Sequence, residues 1–588
     1  MRPMRFWRAA RVIYDILCGM RTTIAALLAL GLVRGVLAAT YTNPVLTMDF
    51  SDPDVCTGPD GRYYLTASSF GGLPGLPILA SDDLVNWQYV GHALARHPFE
   101  TESPEHGNAV WAPAIRYHAG AFVIYWGDPD RGIWRVTAKE AAGPWSEPVL
   151  VKPGKGLIDP CPLYDDDGRI YLVHARAQSR ALLNSVFTVS ELNADETAVV
   201  GEEVLVYDGV PDGNFTAEGP KFYKKGGEYW LFFPAGGVGG GWQVAARSAS
   251  PFGPFVAKTV MAQGASAING PHQGAWVRTR ADEDWFVHFS DRDAYGRIVY
   301  LQPMAWREDG WPVIGADADG DGCGEPVDAY EMPKGGRLDA QVLYPQLDDE
   351  FNEPKLGPQW QYLGRTKETV GFPTKKGFFR LYSTLGVRKW LEDGTFANSL
   401  RQVVNTWSTP NHLVQKFPAF SFTATMKAQI GAKQANTEAG LTVQGMSYAR
   451  LGLRSKGDGF DVTYTECFGA EKGKDEKSKT VASVKAEVIE AGLRAAKVKD
   501  VWLRVDVRPS AEIPPKMLAP AAQCTFSYSF DGQEWTVANK EPFVASPGKW
   551  IGATVGFYAG AAPDVIDRGW IDVDWFRVER RDAPRPAD

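Results

Sequence analysis

Residues 159–172 read DPCPLYDDDGRIYL, and the same layout recurs along the first half of the chain. In four copies a glycine falls nine residues after the first residue, here called the anchor, and an apolar triplet begins two residues later. The copies are DPDVCTGPDGRYYL (52–65), WAPAIRYHAGAFVI (111–124), DPCPLYDDDGRIYL (159–172), EGPKFYKKGGEYWL (218–231) and the slightly longer HQGAWVRTRADEDWFV (272–287). Strand, glycine-containing turn and strand is the pattern of a β-hairpin.

The spacing of the hairpins indicates how they assemble. The anchors lie 59, 48, 59 and 54 residues apart. A period of about 50 residues built from hairpins is typical of propeller blades, and five blades that cover each other's faces close a ring. An all-β sandwich with coincidental hairpins is the alternative, against which the four matching glycine offsets argue. The sequence therefore predicts an all-β fold with a five-bladed β-propeller over residues 40–330.

A second all-β pattern follows a linker that we place at residues 331–346. Strand-like runs and Asp-Gly turns continue through residues 347–580 and predict a β-sandwich. Within it, the charged segment 470–488 is predicted to be a solvated loop. Residues 581–588 are predicted to form a disordered tail.

The first 39 residues have a different character. Five arginines fall within residues 1–21, and TTIAALLALGLVRGVLAA follows at 22–39. A basic flank, an apolar core and the small residues Ala38 and Ala39 are typical of a secretory signal. We expect an exported protein, periplasmic or extracellular, without membrane attachment after cleavage. A retained anchor is the alternative, although Arg34 interrupts an apolar run that is short for a span; Met20 is an alternative start.

Composition narrows the class of protein. With 62 basic and 70 acidic residues, the net charge is −8, which argues against a nucleic-acid partner. Hydrophobic residues at 44% and charged residues at 22% exclude disorder as the main state. Cys18 lies in the predicted signal, and the remaining cysteines form neither a CxxC pair nor a disulfide framework. We expect buried free thiols at Cys56, Cys161, Cys323, Cys467 and Cys524.

The repeat has a chemical consequence, because equivalent positions in propeller blades lie at equivalent radius and height. If the anchors lie near the central channel, Asp52, Asp159, Glu218 and His272 converge. Burying several like charges together is costly unless they are paired, protonated or functional. Three converging carboxylates suit glycoside hydrolysis, in which one acid protonates the leaving oxygen and one base activates water. A third carboxylate can raise the pKa of the acid.

The region from about residue 43 to residue 327 resembles glycoside hydrolase family 43, a family of five-bladed propellers. The matching pieces, in the family's order and at similar spacing, are NPVLTMDFSDPDV, GLPILASDDLVNW, WAPAIRY, IDPCPLYDDDGRIYL, AEGPKFYK, HQGAWV and GRIVYLQPMAW. The resemblance implies that Asp52 is the general base, that Asp159 tunes the pKa of the acid and orients it, and that Glu218 is the general acid. It also implies inversion at the anomeric carbon.

Further site residues follow from the same resemblance. His272 matches a family histidine beside the channel, where a water or a calcium ion is often bound; a hydrogen-bonded core histidine is the alternative. The resemblance requires no cofactor and allows a structural calcium ion in the channel, with His272 a ligand through water. Arg297 matches an arginine that contacts the sugar, although it could also hold a carboxylate of the triad or form a surface salt bridge.

Aromatic residues are candidates to line a sugar pocket, because a flat ring suits the apolar face of a pyranose. They are Phe70 and Trp111, with Trp242 after the glycine-rich run GGVGGGWQ as a weaker candidate, and core packing is the alternative. A partial match to a calcium loop occurs in ADADGDGCGEPV (316–327). Position 12 of that loop would be Asp328 where the pattern needs glutamate, which favours a solvated acidic turn.

The second domain refines the expected activity. FSYSFDGQEW, GKWIGATVGFYAG and DVDWFRVE resemble the C-terminal concanavalin-like sandwich of family-43 β-xylosidases, in which a sandwich loop can close one side of the pocket. This favours an exo-acting enzyme on xylo- or arabino-oligosaccharides, with β-D-xylosidase first, α-L-arabinofuranosidase close behind and an endo-arabinanase less favoured. A carbohydrate-binding protein without turnover is the alternative from another class. The oligomeric state stays open.

Overall fold

The structure, a computed structural model, describes residues 39–99, 104–335, 344–364, 370–384, 405–432, 434–456, 458–485, 500–561, 565 and 568–581. The predicted signal and the predicted tail, apart from one residue each, lie outside these ranges. Within them, no helix is long and apolar enough to cross a membrane. Short helical turns occur at Gln178–Ala181, Asp293–Tyr295, Thr406–Ser408 and Ala470–Lys472.

The first half of the chain is a five-bladed propeller. Each blade is a four-stranded antiparallel sheet whose strands follow one another in chain order. The strands are Asp54–Thr57, Tyr63–Thr66, Gly75–Ser81 and Gln88–Leu94 in blade 1; Trp111–His118, Ala121–Asp128, Gly132–Ala138 and Val149–Pro153 in blade 2; Leu157–Tyr164, Ile170–Arg176, Val186–Leu192 and Val199–Asp208 in blade 3; Lys221–Lys225, Glu228–Ala235, Trp242–Ser248 and Val256–Met261 in blade 4; and His272–Arg278, Asp284–Asp291, Arg297–Trp306 and Pro312–Ile314 in blade 5.

The predicted hairpins are the first two strands of each blade, so the repeat is confirmed. Their turns contain the glycines of the sequence pattern, Gly61, Gly120, Gly168 and Gly227, at φ of 74°, 84°, 83° and 82°. A side chain is unfavourable in this left-handed region. The repeat therefore marks where each blade turns.

The two ends of the propeller are joined to each other. The strand Thr40–Thr42 pairs with Ala329–Glu331. The Asn43 side chain donates to the carbonyl oxygens of Leu301 and Val327 at 2.8 Å each. These contacts fasten the beginning of the propeller to its last blade.

The second domain is a sandwich of two antiparallel sheets. One sheet has the order Gln361–Tyr362, His412–Lys416, Thr554–Ala561, Thr437–Gln444, Tyr448–Ser455, Gly459–Cys467 and Lys477–Lys485. The other has the order Gly371–Pro373, Phe379–Tyr382, Trp570–Arg580, Phe422–Gly431, Val501–Pro509, Ala522–Ser529 and Thr536–Val537, and Phe543–Val544 also pairs with Ala522–Ser529. Buried rings between the sheets include Trp360, Phe557 and Phe576.

Two local expectations need correction. Segment 470–488 is not a loop throughout, because Lys477–Lys485 forms an edge strand paired with Gly459–Cys467. Most residues of this strand are exposed, and charged exposed edges resist pairing with other chains. The cysteines are free as expected, although Cys323 is only partly buried.

Candidate active site

The anchor residues lie at or beside the first strand of their blades. In three blades the pairing of the first two strands shifts register at the anchor: at Trp111, next to Asp159 and at His272. Such bulges re-aim side chains and are frequent at active sites. Asp52 and Asp159 also adopt φ of 55° and 56°, a strained conformation that persists where the surroundings enforce it.

Asp52 is buried and held by several groups. Its Oδ2 accepts a hydrogen bond from Ser68 Oγ at 2.6 Å, and Ser68 Oγ accepts from the backbone N–H of Ala112 at 2.7 Å. Its Oδ1 lies 3.7 Å from Arg297 Nη1. Burial raises the pKa of Asp52, while Arg297, Ser68 and Lys221 lower it. The donors and cations favour the ionised form.

Asp159 and Glu218 interact closely. Asp159 Oδ2 accepts the backbone N–H of Gly219 at 2.7 Å, which ties the residue after Glu218 to blade 3. Burial, and then the charge of Asp52, raise the pKa of Asp159. Burial, and then the charges of Asp159 and Asp52, raise the pKa of Glu218. The Glu218 side chain is 34% exposed, so solvent reaches it and limits the effect of burial.

The surroundings of Asp52 and Glu218 act differently on the pKa values of these two carboxyls. A hydroxyl donor and two cations favour the charged form of Asp52. For Glu218 only Arg297 favours the charged form, and two carboxylates oppose it. Burial raises both pKa values, but more groups oppose the rise at Asp52 than at Glu218. Two carboxyls in different environments can supply one acid and one base.

His272 lies beside Glu218, with its Nε2 3.5 Å from Glu218 Oε1. Burial, and then the charges of Arg297 and His288, lower its pKa to about 3, so the imidazole is neutral. Both of its buried ring nitrogens lack a hydrogen-bond partner among the described residues, which suits a bound water. Calcium prefers oxygen ligands, and the described side chains place a group of three potential metal ligands only at the acidic turn 317–321. A calcium ion in the channel, with His272 a ligand through water, therefore stays a prediction.

Arg297 joins the triad to its surroundings. Besides Asp52, its guanidinium Nε lies 3.8 Å from Asp291 Oδ2. Its side chain is 11% exposed, and its guanidinium stacks over Trp550 of the sandwich, 5.9 Å from the ring centroid. The surface salt bridge considered for this residue is therefore wrong.

Three aromatic rings form a row that ends at Trp550, beside Arg297. The ring centroids of Phe70 and Trp111 are 6.3 Å apart, and those of Trp111 and Trp550 are 6.2 Å apart. Phe70 is 3% exposed, whereas Trp550 is 49% exposed. Trp111 and Trp550 are thus the rings available to a ligand, and Phe70 supports them.

The sandwich loop that carries Trp550 is bound to the propeller through Asp49. Asp49 Oδ1 accepts the backbone N–H of Arg297 at 2.9 Å, and its Oδ2 accepts that of Gly552 at 3.1 Å. Lys416 Nζ lies 3.9 Å from the same Oδ2. One buried carboxylate therefore positions the arginine of the site and the sandwich loop together.

A second sandwich loop contacts blade 5, to which Arg297 belongs. Asp293 Oδ2 accepts the backbone N–H groups of Leu518 and Ala519 at 2.6 and 3.0 Å. Between the domains, beside Arg297, lies a cavity of about 570 Å³, whose walls include His106, Trp407, Leu518, Lys549 and Trp550. Its size is that of an ordinary small-ligand pocket.

The remaining candidates have other surroundings. The Trp242 indole N–H donates to Asn214 at 3.0 Å, and its ring packs on Gly236; no described contact joins it to the triad. In the acidic turn, Asp317 is paired with Arg307 at 3.0 Å. Sequence reasoning missed Ser68 and Trp550, since neither the serine nor the tryptophan lies in the repeat.

Comparison with known proteins agrees with this arrangement. The family model described as glycosyl hydrolases family 43 matches residues 41–312, and the model of the β-xylosidase C-terminal concanavalin A-like domain matches residues 348–579. The chain belongs to glycosyl hydrolases family 43. The predicted family and fold are therefore confirmed, and the family 43 chain is a glycosidase rather than a binding protein without turnover.

Relatives and a solved structure extend over most of this family 43 chain. It is 33% identical to a putative β-xylosidase of Xylanibacter ruminicola, covering 88% of this chain and 86% of that protein. It is 31% identical to a non-reducing end α-L-arabinofuranosidase of Bacteroides ovatus, over 69% of this chain and 74% of that protein. The structure of a xylan β-1,4-xylosidase from Bacillus halodurans superposes with a TM-score of 0.72 at 21% identity, over 92% of this chain and 100% of that chain.

Proposed function

We propose that this glycosidase is exo-acting and inverting, and that it releases single xylose or arabinose units from xylan-derived oligosaccharides. The observation that carries the proposal is that two carboxylates in one pocket have different partners. Asp52 is held by Ser68 and faces Arg297, whereas Glu218 lies among other carboxylates.

In this proposal Glu218 keeps its proton at neutral pH and gives it to the glycosidic oxygen as the bond to the anomeric carbon breaks. Asp52 takes a proton from a water that attacks the opposite face of the sugar ring. Asp159, fixed by the Gly219 N–H, maintains the raised pKa of Glu218 through its charge. The neutral imidazole of His272 lies next to Glu218 and, in this proposal, binds a water there; no step needs a metal ion or cofactor.

The sandwich supports an exo mode of action. Trp550 and its loop stand beside Trp111 and Arg297, where an endo-acting enzyme needs an open groove for chain on both sides. A wall on one side leaves room for one terminal sugar. Trp111 and Trp550 supply the flat apolar surfaces on which a sugar ring stacks.

Xylose is the first choice of sugar and arabinose the second. The relatives are named for both, as a putative β-xylosidase and an α-L-arabinofuranosidase. The two sugars present similar hydroxyl geometry to such a pocket, so dual activity is expected. Export to the periplasm or outside the cell is proposed from the basic and apolar pattern of residues 1–39, and mass spectrometry of the mature N-terminus tests it.

The test is hydrolysis of 4-nitrophenyl β-D-xyloside and 4-nitrophenyl α-L-arabinofuranoside by wild type and by Asp52→Ala. Loss of the general base should lower kcat by about 100- to 10,000-fold. Proton NMR of the first-formed sugar should show the inverted anomer. A folded wild type that cleaves neither glycoside, or a product with retained configuration, contradicts the proposal.

A further inference from the structure

A lysine lies at the centre of the propeller where the sequence suggests a surface strand. Lys221 belongs to the run KFYKK, yet only 1% of its surface is exposed. Lysine is almost never fully buried unless it is paired. Its Nζ donates to the carbonyl oxygen of Pro113 in blade 2 at 2.9 Å and lies 3.9 Å from Asp54 Oδ1 in blade 1.

Asp54, which is fully buried, contacts both cations of this network, Arg116 and Lys221. Its Oδ2 accepts from Arg116 Nη1 at 2.6 Å and from the backbone N–H of Ile115 at 2.7 Å. Its Oδ1 has no hydrogen-bond partner among the described residues and faces the Lys221 ammonium. Arg116 Nη2 contacts Cys161 Sγ at 2.9 Å. Buried charges and the Cys161 thiol thus join blades 1, 2, 3 and 4.

The same positions lie next to the triad in sequence, and hydrogen bonds connect Lys221 to it. Lys221 donates to the carbonyl oxygen of Pro113, and the preceding Ala112 N–H donates to Ser68, which donates to Asp52. Asp54 is two residues after Asp52, Cys161 is two after Asp159, and Lys221 is three after Glu218. The groups whose charges act on Asp52 are Arg297, Lys221, Asp49, Asp159 and Glu218. Lys221 is therefore the second cation of a site that otherwise accumulates negative charge.

We propose that Lys221 is a positioning residue of this active site: a buried ammonium, fixed by Pro113 and Asp54, that acts as a counter-charge to Asp52 and Asp159. It keeps the base ionised while Glu218 stays protonated, and it does so without touching substrate. The Lys221 charge lowers the pKa of Asp52 and that of Asp159. This inference rests on the proposed roles of the triad.

The experiment compares pH profiles of kcat/KM for wild type, Lys221→Met and the matched control Lys225→Met. Lys225 is on the same strand, with its ammonium over Trp306. Methionine keeps the length of Lys221 without its charge, and Asp54 keeps Arg116. An opposite charge near a carboxyl group lowers its pKa, and the effect reaches about one unit or more at about 4–6 Å. Lys221→Met should therefore move the acidic limb about one unit to higher pH, whereas Lys225→Met should leave it in place.

A second variant predicts a shift of opposite sign. Asp54→Asn removes a negative charge and leaves Lys221 uncompensated, so the acidic limb should move to lower pH. A purely structural role would lower activity at all pH values without moving the limb. Profiles of both variants that scale onto the wild type overturn the proposal.

The outcome can be separated from failure of the proposed function. An inactive wild type contradicts the proposed function, not this inference. In that case, carbon-13 NMR titration of labelled aspartate carboxyls in wild type and Lys221→Met measures the same shift without turnover. An Asp52 carboxyl that titrates identically in both proteins overturns the inference.

Discussion

A methyl group at Gly552 should separate the sandwich loop from the propeller. A Cβ at this position would lie 2.7 Å from the Gly296 backbone nitrogen, 2.8 Å from its Cα and 2.9 Å from the Tyr295 carbonyl carbon. Ordinary contact begins at 3.4 Å, so Gly552→Ala requires a movement of about 0.7 Å between two backbones. The Gly552 N–H also loses its geometry toward Asp49.

Overpacking of this kind costs about 1–3 kcal/mol. If the strain is relieved by displacing the loop, Trp550 leaves its place beside Trp111 and Arg297. The free energy then appears as weaker binding, and about 1–3 kcal/mol corresponds to a kcat/KM lowered about 5- to 150-fold. We expect most of that loss in KM, because the triad belongs to the propeller.

The assay is Michaelis–Menten kinetics on 4-nitrophenyl β-D-xyloside, together with the thermal unfolding midpoint. Gly560→Ala is the matched control, since Gly560 lies on the adjoining strand Thr554–Ala561 and no described atom lies within 4 Å of its added Cβ. A KM for Gly552→Ala equal to that of Gly560→Ala and wild type would refute the reasoning that the sandwich loop forms the pocket wall.

Three further outcomes are expected. Ser68→Ala removes a hydrogen bond to the charged base. Such a bond is worth about 1.5–3 kcal/mol, or about 1–2 pKa units. The acidic limb of the kcat/KM profile should therefore move to higher pH by that amount, and it should stay in place in the control Ser69→Ala. Because the fold raises the pKa of Glu218, the unfolded chain loses this proton first as pH rises. The free energy of unfolding therefore falls as pH rises from the unfolded pKa to the folded one. Glu218→Gln should raise the melting temperature near pH 8, and a melting temperature equal to or below that of wild type at every pH would contradict the shift. Phe557→Ala should cost the sandwich about 3–5 kcal/mol in denaturant titration, because Phe557 packs against four aromatic rings of the core; a loss below about 1 kcal/mol would show a collapsible core.

The propeller and the triad could be predicted because the repeat carries both. Each anchor precedes a hairpin, and ring closure brings equivalent anchors together, so Asp52, Asp159 and Glu218 could be selected from their offsets alone. His272 begins the fifth, slightly longer copy and was selected as its anchor. The β-bulges that aim these side chains could not be predicted, since they depend on pairing between strands.

The features that could not be predicted from the sequence depend on contacts between residues far apart in the chain. Trp550 lies in a loop of the other domain, and docking through Asp49 and Gly552 brings it to the pocket. Lys221 looks like a surface residue in a basic run, and its burial depends on Asp54 of another blade. The strand Lys477–Lys485 was predicted to be a loop because an exposed edge needs no apolar alternation.

The division of roles between Glu218 and Asp52 is tested most directly by the effect of the leaving group on Glu218→Ala. A general acid matters for a sugar leaving group and little for 2,4-dinitrophenolate, which departs without a proton. We predict that Glu218→Ala lowers kcat/KM about 100- to 10,000-fold on xylobiose and far less on 2,4-dinitrophenyl β-D-xyloside, whereas Asp52→Ala lowers both alike. Equal losses on the two substrates in Glu218→Ala would contradict the assignment of Glu218 as the acid.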